Sequence, residues 1–316
     1  MESRRPYHGY IALAVLIPAY ILMLAGIRPF STWFYSLAWW PYIFLVDQAI
    51  HRRKGNSLWV NRRKEFFFLI PLSVFFWMVF EGINAYLDNW QYVGITARAW
   101  ERWIGYFLAY GTVLPGIFET YELLDTLGLY KNSRVKPIPR TNRWHWPFVF
   151  AGLFSLFAPI IWPSYFFPLI WGGFVFLLEP VLHLHQGRSL MNEWETGSLR
   201  TFFLLLTAGL ICGLLWEFWN YWAESKWVYT VPHVGFLKVF EMPVLGFLGF
   251  PPFAVMLYVM TNFASLLRNG KSWEADAPVD AAPTMKGLKL LFWIFFFYVY
   301  ILAGRIIELY TIQSYV

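Results

Sequence analysis

Residues 35–58 read YSLAWWPYIFLVDQAIHRRKGNSL, and residues 167–190 read FPLIWGGFVFLLEPVLHLHQGRSL. Aligned without a gap at an offset of 132, both stretches keep a carboxylate (Asp47, Glu179) and a histidine (His51, His183). The glycines, serines and leucines that follow the histidines also coincide. Because charged residues and histidines are rare in this chain, their coincidence at aligned positions predicts an internal duplication.

The duplication continues at an offset of 136, where Glu81-Gly-Ile-Asn84 lies over Glu217-Phe-Trp-Asn220. Farther along, the aligned pairs are Trp90-Gln-Tyr92 with Trp227-Val-Tyr229, and Pro115 with Pro251. We interpret residues 9–124 and 145–266 as two copies of a four-helix unit. Both copies begin on the same side, so they are parallel repeats about an axis along the membrane normal.

The composition indicates a polytopic membrane protein. Of the 316 residues, 58% are hydrophobic and only 14% are charged, whereas soluble proteins carry roughly 25% charged residues. The single Cys212 excludes a disulfide scaffold. The Lys and Arg residues lie in short loops between apolar runs, so the net charge of +6 does not indicate nucleic-acid binding.

A helix needs about 20 mostly apolar residues to cross a bilayer, and nine such runs are present. They cover residues 9–27, 33–50, 66–84, 103–124, 145–163, 166–184, 201–222, 243–266 and 287–309. The predicted fold is therefore all-α, with nine spans forming two repeats plus one extra helix. The predicted segments are an N-terminus (1–8), the first repeat (9–124), a basic loop (125–144), the second repeat (145–266), a polar linker (267–286), and the ninth helix with its tail (287–316).

The distribution of Lys and Arg predicts the orientation. With the N-terminus in the cytoplasm, 19 of the 25 basic residues fall on the cytoplasmic side, as the positive-inside rule expects. The prediction is an inner-membrane protein with its C-terminus outside.

Ionisable groups within apolar runs are costly and need an explanation. Near the outer ends of the third and seventh runs, Glu81 precedes Asn84 and Glu217 precedes Asn220 by three residues, on one helix face. Glu241 begins the eighth run at the same side. We name Glu217 as the first candidate for a catalytic acid and Glu81 as its partner, with the asparagine amides orienting the two carboxyl groups.

A second set of polar groups lies near the inner ends of the second and sixth runs. It comprises Asp47, His51, Glu179, His183 and His185. Nitrogen and oxygen ligands of these types suit zinc or iron, so a metal site is one interpretation, although no cofactor is required.

Three interpretations of the polar groups stay open. They form self-satisfied contacts between helices, or they perform acid/base chemistry on a lipid, or the inner set binds a metal. For the second interpretation, a carboxyl group in apolar surroundings keeps its proton and is suited to general acid catalysis. Most of the aromatic residues are expected in interfacial belts, but four beside the carboxylates are candidates for lining a hydrophobic substrate pocket. These are Trp77, Phe80, Trp216 and Trp219.

The repeated pattern of an acidic residue followed by Trp-x-Tyr resembles the membrane-embedded lycopene cyclases of the bacterial heterodimeric and fungal fusion type. The matching stretches are Glu81 to Trp90-Gln-Tyr92, and Glu217 to Trp227-Val-Tyr229 with Glu241-Met-Pro243. They cover about a third of the chain. Where that family has paired carboxylates after a proline, this chain has Val244-Leu245-Gly246 after Pro243. The resemblance implies protonation of an alkene or epoxide of an isoprenoid lipid by an intramembrane acid.

The sequence thus leads to one hypothesis and two rivals. The hypothesis is an acid/base enzyme, a cyclase or isomerase, acting on an isoprenoid-type membrane lipid. The first rival is a proton-coupled or solute transporter or channel, for which Pro115 and Pro251 offer one helix break per repeat. The second is an accessory subunit that binds a membrane complex through its ninth helix.

Overall fold

The computed structural model describes residues 6–268, 272–274 and 288–312 and shows an all-α architecture. The helices of the first half are α1 (His8–Leu24), α2 (Phe34–Lys54), α3 (Leu58–Asn61), α4 (Arg63–Leu87), α5 (Ala99–Tyr110) and α6 (Val113–Thr126). Those of the second half are α7 (His145–Ile161), α8 (Pro163–Phe166), α9 (Ile170–Leu184), α10 (Leu190–Glu195), α11 (Arg200–Trp222) and α12 (Phe250–Leu267). The last helix is α13 (Leu288–Ile306), which continues as a π-helix over Ile307–Ile312.

Six helical segments among the described residues are long and apolar enough to cross a membrane. They are Arg63–Leu87, Thr141–Ile161, Pro163–Leu184, Arg200–Trp222, Val244–Leu267 and Leu290–Ile312. These segments correspond to six of the nine predicted runs.

The other three predicted runs have a different form. The run 9–27 is the 17-residue α1, which is apolar but short. The run 33–50 lies within α2, a helix of 21 residues that buries Asp47 and Gln48 and ends in His51, Arg52, Arg53 and Lys54. The run 103–124 is broken into α5 and α6 between Tyr110 and Val113. The hydropathy predicted a single helix, because it does not register the interruption of the helix at Gly111 and Thr112.

Two short ladders of strands accompany the helices. β1 (Trp90–Val93) pairs in antiparallel fashion with β2 (Lys226–Tyr229), and β3 (Lys238–Val239) pairs with β4 (Met242–Pro243). The first ladder joins the chain just after α4 to the chain just after α11. Gly94, which follows β1, has a φ of +63°, and a Cβ built on it would lie 2.1 Å from the carbonyl oxygen of Glu224. Only glycine allows the two segments to approach so closely.

The core is strongly aromatic and lies between the two halves. α2 packs on α1 and α6, while α11 packs on α6 and α12. Trp39 of α2 contacts both Trp216 and Trp219 of α11 edge to face, with ring centroids 5.8 and 4.9 Å apart. By contrast, α7 and α13 expose much of their apolar surface, as expected of helices that face lipid.

Part of the predicted polar segments lies outside the described residues. This holds for Arg4, Arg5, Lys271 and Lys286, and for the linker 267–286 except residues 267, 268 and 272–274.

Candidate functional site

The carboxyl groups of Glu81 and Glu217 are both fully buried near the ends of α4 and α11. Each lies beside the Trp-x-Tyr strand that follows its own helix. The sequence repeat therefore has a counterpart in the contacts, although the two carboxyl groups have different numbers of partners.

Glu81 accepts several hydrogen bonds on a single oxygen atom. Its Oε1 receives the indole N–H of Trp77 at 2.8 Å, that of Trp90 at 3.1 Å and the hydroxyl of Tyr92 at 2.5 Å. Its Oε2 is buried without a hydrogen-bond partner among the described residues. The hydroxyl of Tyr110 is a fourth donor to Oε1, at 3.5 Å. A carboxyl group held by four donors is fixed in position.

Glu217 has a simpler environment. The hydroxyl of Tyr229 donates to its Oε1 at 2.7 Å, and its Oε2 is buried with no hydrogen-bond partner among the described residues. Burial and the adjacent Glu217 carboxyl raise the pKa of Tyr229 well above its ordinary value. Tyr229 therefore keeps its proton at neutral pH and remains a donor.

The β1–β2 ladder brings the two carboxyl environments together. Trp90 lies opposite Tyr229, and Tyr92 lies opposite Trp227. Each strand thus places its tyrosine against the tryptophan of the other strand. Residues more than 130 positions apart in sequence form one wall.

Two cavities lie against this wall. The larger has a volume of about 360 Å³ and the smaller about 120 Å³. Both are bordered by Trp77, Tyr92, Trp216 and Trp227. The larger cavity also contacts Tyr229 and is closed by Trp171, Phe250 and Phe253 among other apolar residues.

The two cavities differ in charge. Among the described residues, no Asp, Glu, Lys or Arg lines the larger one. The smaller one contacts Glu101, Arg102 and Lys226, and each of these is paired: Glu101 with Arg98, Arg102 with Glu308, and Lys226 with Glu241. The cavities therefore suit an uncharged, apolar ligand.

The predicted pocket residues divide into two groups. Trp77 and Trp216 line both cavities, in agreement with the expectation. Phe80 packs instead on Trp171 and Phe174, and the Trp219 indole donates to Tyr20. Phe80 and Trp219 line neither of these two cavities, because each faces a neighbouring helix rather than the ladder.

The predicted acids lie one layer behind the cavity surface. Glu81 and Glu217 are not lining residues; Tyr92 and Tyr229 stand between them and the cavities. Glu241 lies 2.6 Å from the Nζ of Lys226 and so has a cation as its partner. Tyr92 and Tyr229 were missed as site residues, although the repeated Trp-x-Tyr was the signal that could have indicated them.

Asn84 and Asn220 do not hydrogen-bond the carboxyl groups that they were expected to orient. The Asn84 side chain donates to the carbonyl of Trp90 at 2.9 Å, and the Asn220 side chain donates to that of Trp227 at 2.8 Å. Asn84 and Asn220 also accept from the backbone N–H groups of Trp90 and Trp227, at 3.2 and 3.0 Å. Their role is to bind the start of each strand to the end of its helix, which fixes the Trp-x-Tyr segments.

The inner carboxylates cap short helices. Asp47 accepts from the hydroxyl of Ser57 at 2.9 Å and from the N–H of Trp59 at 2.6 Å. Glu179 accepts from Ser189 at 2.8 Å and from the N–H of Met191 at 3.2 Å. Each carboxylate thus accepts hydrogen bonds from the first N–H groups of a short helix, α3 for Asp47 and α10 for Glu179. Its negative charge also interacts favourably with the positive end of the helix dipole.

The predicted metal ligands do not converge. Within residues 6–268, 272–274 and 288–312, no group of three or more His, Cys, Asp or Glu side chains has an arrangement that could hold a metal ion. His51 contacts Asn61, His183 contacts Thr141 and His145, and His185 contacts its own helix backbone. These five residues therefore form no ligand cluster among the described residues, and the metal site stays a prediction that only their shared spacing supports.

No protein-family model, curated protein or solved structure matches this chain.

Proposed function

We propose that the protein is an inner-membrane acid/base enzyme that isomerises or cyclises an uncharged isoprenoid-type lipid. The observation that carries the proposal is that Tyr229 borders the larger cavity and donates its hydroxyl to the buried carboxyl group of Glu217. A titratable pair of this kind at the wall of an aromatic cavity has the geometry that general acid–base catalysis requires.

The membrane location rests on the six long apolar segments and on the low charge content. We assign the remaining three of nine spans to α1, to α2 and to α5 together with α6. Asp47 and Glu179 each accept a hydrogen bond from a serine, and Asn84 and Asn220 each donate to the carbonyl of a tryptophan. These equivalent contacts in the two halves of the chain support two parallel repeats. The basic residues support a cytoplasmic N-terminus and an external C-terminus.

The reaction begins with neutral Glu217. When Glu217 carries its proton the hydrogen bond reverses, so that the carboxyl group donates to the oxygen of Tyr229 and the phenol proton turns towards the cavity. The π electrons of a substrate alkene form a C–H bond with that proton, Glu217 becomes a carboxylate, and a carbocation remains. Loss of a proton from a carbon next to the cation returns that proton through Tyr229 to Glu217. The product has a shifted double bond or a new ring, and the enzyme is regenerated.

The aromatic wall supports this chemistry. Trp77, Trp216 and Trp227 border the cavity, and the negative face of an aromatic ring stabilises a nearby cation. Because no charged side chain borders the larger cavity, it offers no counter-ion for a diphosphate, and the substrate class is uncharged.

The test is a comparison of lipid extracts. The wild-type chain, Glu217→Gln and Tyr229→Phe are expressed in a host supplied with isoprenoid precursors, and total lipid is analysed by mass spectrometry. We expect a new or isomerised lipid with the wild-type chain and a loss of about 10²–10⁴-fold in its formation with either variant. Tyr298→Phe, which changes an exposed tyrosine on α13, is the matched control and should retain activity. Unchanged lipid pools with the folded wild-type chain would reject the proposal.

One observation favours transport as a second candidate. α6 begins at Val113 and α12 at Phe250, two residues before Pro115 and one before Pro251, so both halves start a helix at equivalent positions. Transporters use helix breaks at such positions. Proton-flux and solute-uptake assays on liposomes distinguish the two: flux without lipid conversion would support the carrier.

A further inference from the structure

A long apolar groove lies on the side of the molecule, away from the carboxyl groups. It has a volume of about 590 Å³ and lies between α1 and α2, with Leu108 of α5 at its edge. It extends along α2 from Trp33 to Phe44, which is about 16 Å of helix. Ile11 and Val15 on α1 are exposed beside it, so the groove opens sideways rather than at a helix end.

The groove offers little to a charged molecule. In the part of the chain that the structure describes, no Lys, Arg, Asp or Glu lines it. His8 borders it, but the His8 Nε2 lies 3.0 Å from the carboxylate of Asp47, and the indole N–H of Trp40 donates to the carbonyl of Leu108. The lining therefore matches an extended hydrocarbon chain.

The groove meets the smaller cavity. Trp33 and Ser36 border both the groove and that cavity, which continues to Trp77 and Tyr110. The ring of Trp33 rests against α5 at Gly105, where an added Cβ would lie 3.5 Å from the ring. Trp33 is thus the side chain that separates the two spaces, and Gly105 leaves room for its ring.

We propose that the groove binds one extended, uncharged lipid chain and admits it from the bilayer to the cavities through the opening at Trp33. The inference rests on the proposed function, in which the cavities hold an isoprenoid-type lipid. It adds the route of entry and assigns Trp33, Leu37 and Gly105 to it. Entry from the side suits a ligand that is dissolved in the membrane and has no affinity for water.

The experiment is photo-crosslinking in lipid nanodiscs with a diazirine-bearing farnesol analogue, an uncharged isoprenoid alcohol. Labelled peptides are located by mass spectrometry. We expect labels on α1 and α2 along the groove, and on the peptide after α4 that contains Tyr92 and Ile95, which line the smaller cavity and not the groove. Leu37→Trp, which fills the groove, should lower both labels several-fold. Gly105→Leu, which pushes on Trp33, should lower only the cavity label.

Two controls make the result specific. Leu153→Trp places the same bulk on the exposed face of α7 and should leave both labels unchanged. Gly105→Ala adds a Cβ at an ordinary contact distance and should also leave both labels unchanged. Thermal unfolding midpoints verify that every variant folds.

The proposal is overturned if Leu37→Trp leaves the cavity label at the wild-type level, or if Leu153→Trp lowers it equally. Tyr229→Phe separates this proposal from the enzymatic one, because it removes the proton relay and should keep the labels. Labelling of the wild-type chain without any lipid conversion would reject the enzyme and retain the groove.

Discussion

Tyr92 lies directly opposite Trp227 in the antiparallel ladder of β1 and β2, and the inverse pair, Trp90 opposite Tyr229, follows two positions away. This exchange gives the two halves of the chain a common wall. On one side of that wall are the buried carboxyl groups of Glu81 and Glu217, and on the other are the cavities. The tyrosines connect the two sides.

The two carboxyl groups should differ in their importance for stability. Glu81→Leu removes the acceptor of four donors, those of Trp77, Trp90, Tyr92 and Tyr110, whereas Glu217→Leu removes the acceptor of the Tyr229 hydroxyl. An unpaired buried donor costs about 1–3 kcal/mol. We expect Glu81→Leu to lower the unfolding midpoint in detergent by clearly more than Glu217→Leu. Equal midpoints would show that the extra donors of Glu81 contribute no stability.

The approach of the two halves at Gly94 gives a second prediction. In Gly94→Ala the new Cβ stands on a residue with a positive φ and would lie 2.1 Å from the carbonyl oxygen of Glu224. Gly26→Ala is the matched control, since Gly26 has a φ of +68° and an added Cβ would have no neighbour within 4 Å. We expect the control to cost about 1–2 kcal/mol, from the left-handed conformation alone, and Gly94→Ala to cost more. Chemical denaturation measures both, and equal losses would contradict the close approach.

The link between Glu224 and the loop before α2 should depend on pH. Arg28 donates to Glu224, as do Ser31 and Thr32, and the hydrogen bond from Arg28 is the chief cause that lowers the pKa of Glu224 below its ordinary value. A carboxyl group with a lower pKa in the folded state stabilises the fold above its unfolded pKa of about 4.3, and this contribution is lost as the pH falls through the folded pKa.

We therefore expect the wild-type chain to unfold at a higher temperature than Glu224→Gln near neutral pH, with the difference shrinking below about pH 4. Thermal unfolding monitored by tryptophan fluorescence measures it. When both chains also carry Arg28→Gln, the difference in unfolding temperature between them should lose most of its dependence on pH. A difference that grows with acidity would contradict the contact.

Cysteine labelling tests the orientation. The native Cys212 is buried, with its Sγ 3.5 Å from the carbonyl of Gly116, and should not react in the folded protein. Lys136→Cys and Lys238→Cys each place a thiol at an exposed position, the first in a loop and the second in β3. With a membrane-impermeant maleimide on intact spheroplasts, we expect Lys238→Cys to be labelled and Lys136→Cys to be labelled only after lysis. The reverse pattern would invert the topology.

Much of the helical framework was accessible from the sequence. The apolar runs near residues 66–84 and 201–222 predicted α4 and α11, and the spacing of Glu81 with Asn84 placed both on one helix face. Pro115 indicated a helix break in the run 103–124, but hydropathy did not place it between Tyr110 and Val113, because both sides of it are equally apolar. The partner of Asn84 was also missed, because the backbone of Trp90 reaches it only after the chain turns.

The sequence by itself determined the apolar helices and the repeated order of Glu, Asn and Trp-x-Tyr, because helix periodicity and composition act over short stretches of chain. Only the tertiary structure decided that Tyr229 stands between Glu217 and the cavity, and that Asp47 and Glu179 cap separate helices. Which side chains converge depends on the rotation and packing of whole helices. The pairing of β1 with β2 joins segments more than 130 residues apart, and no local pattern in either segment specifies that pairing.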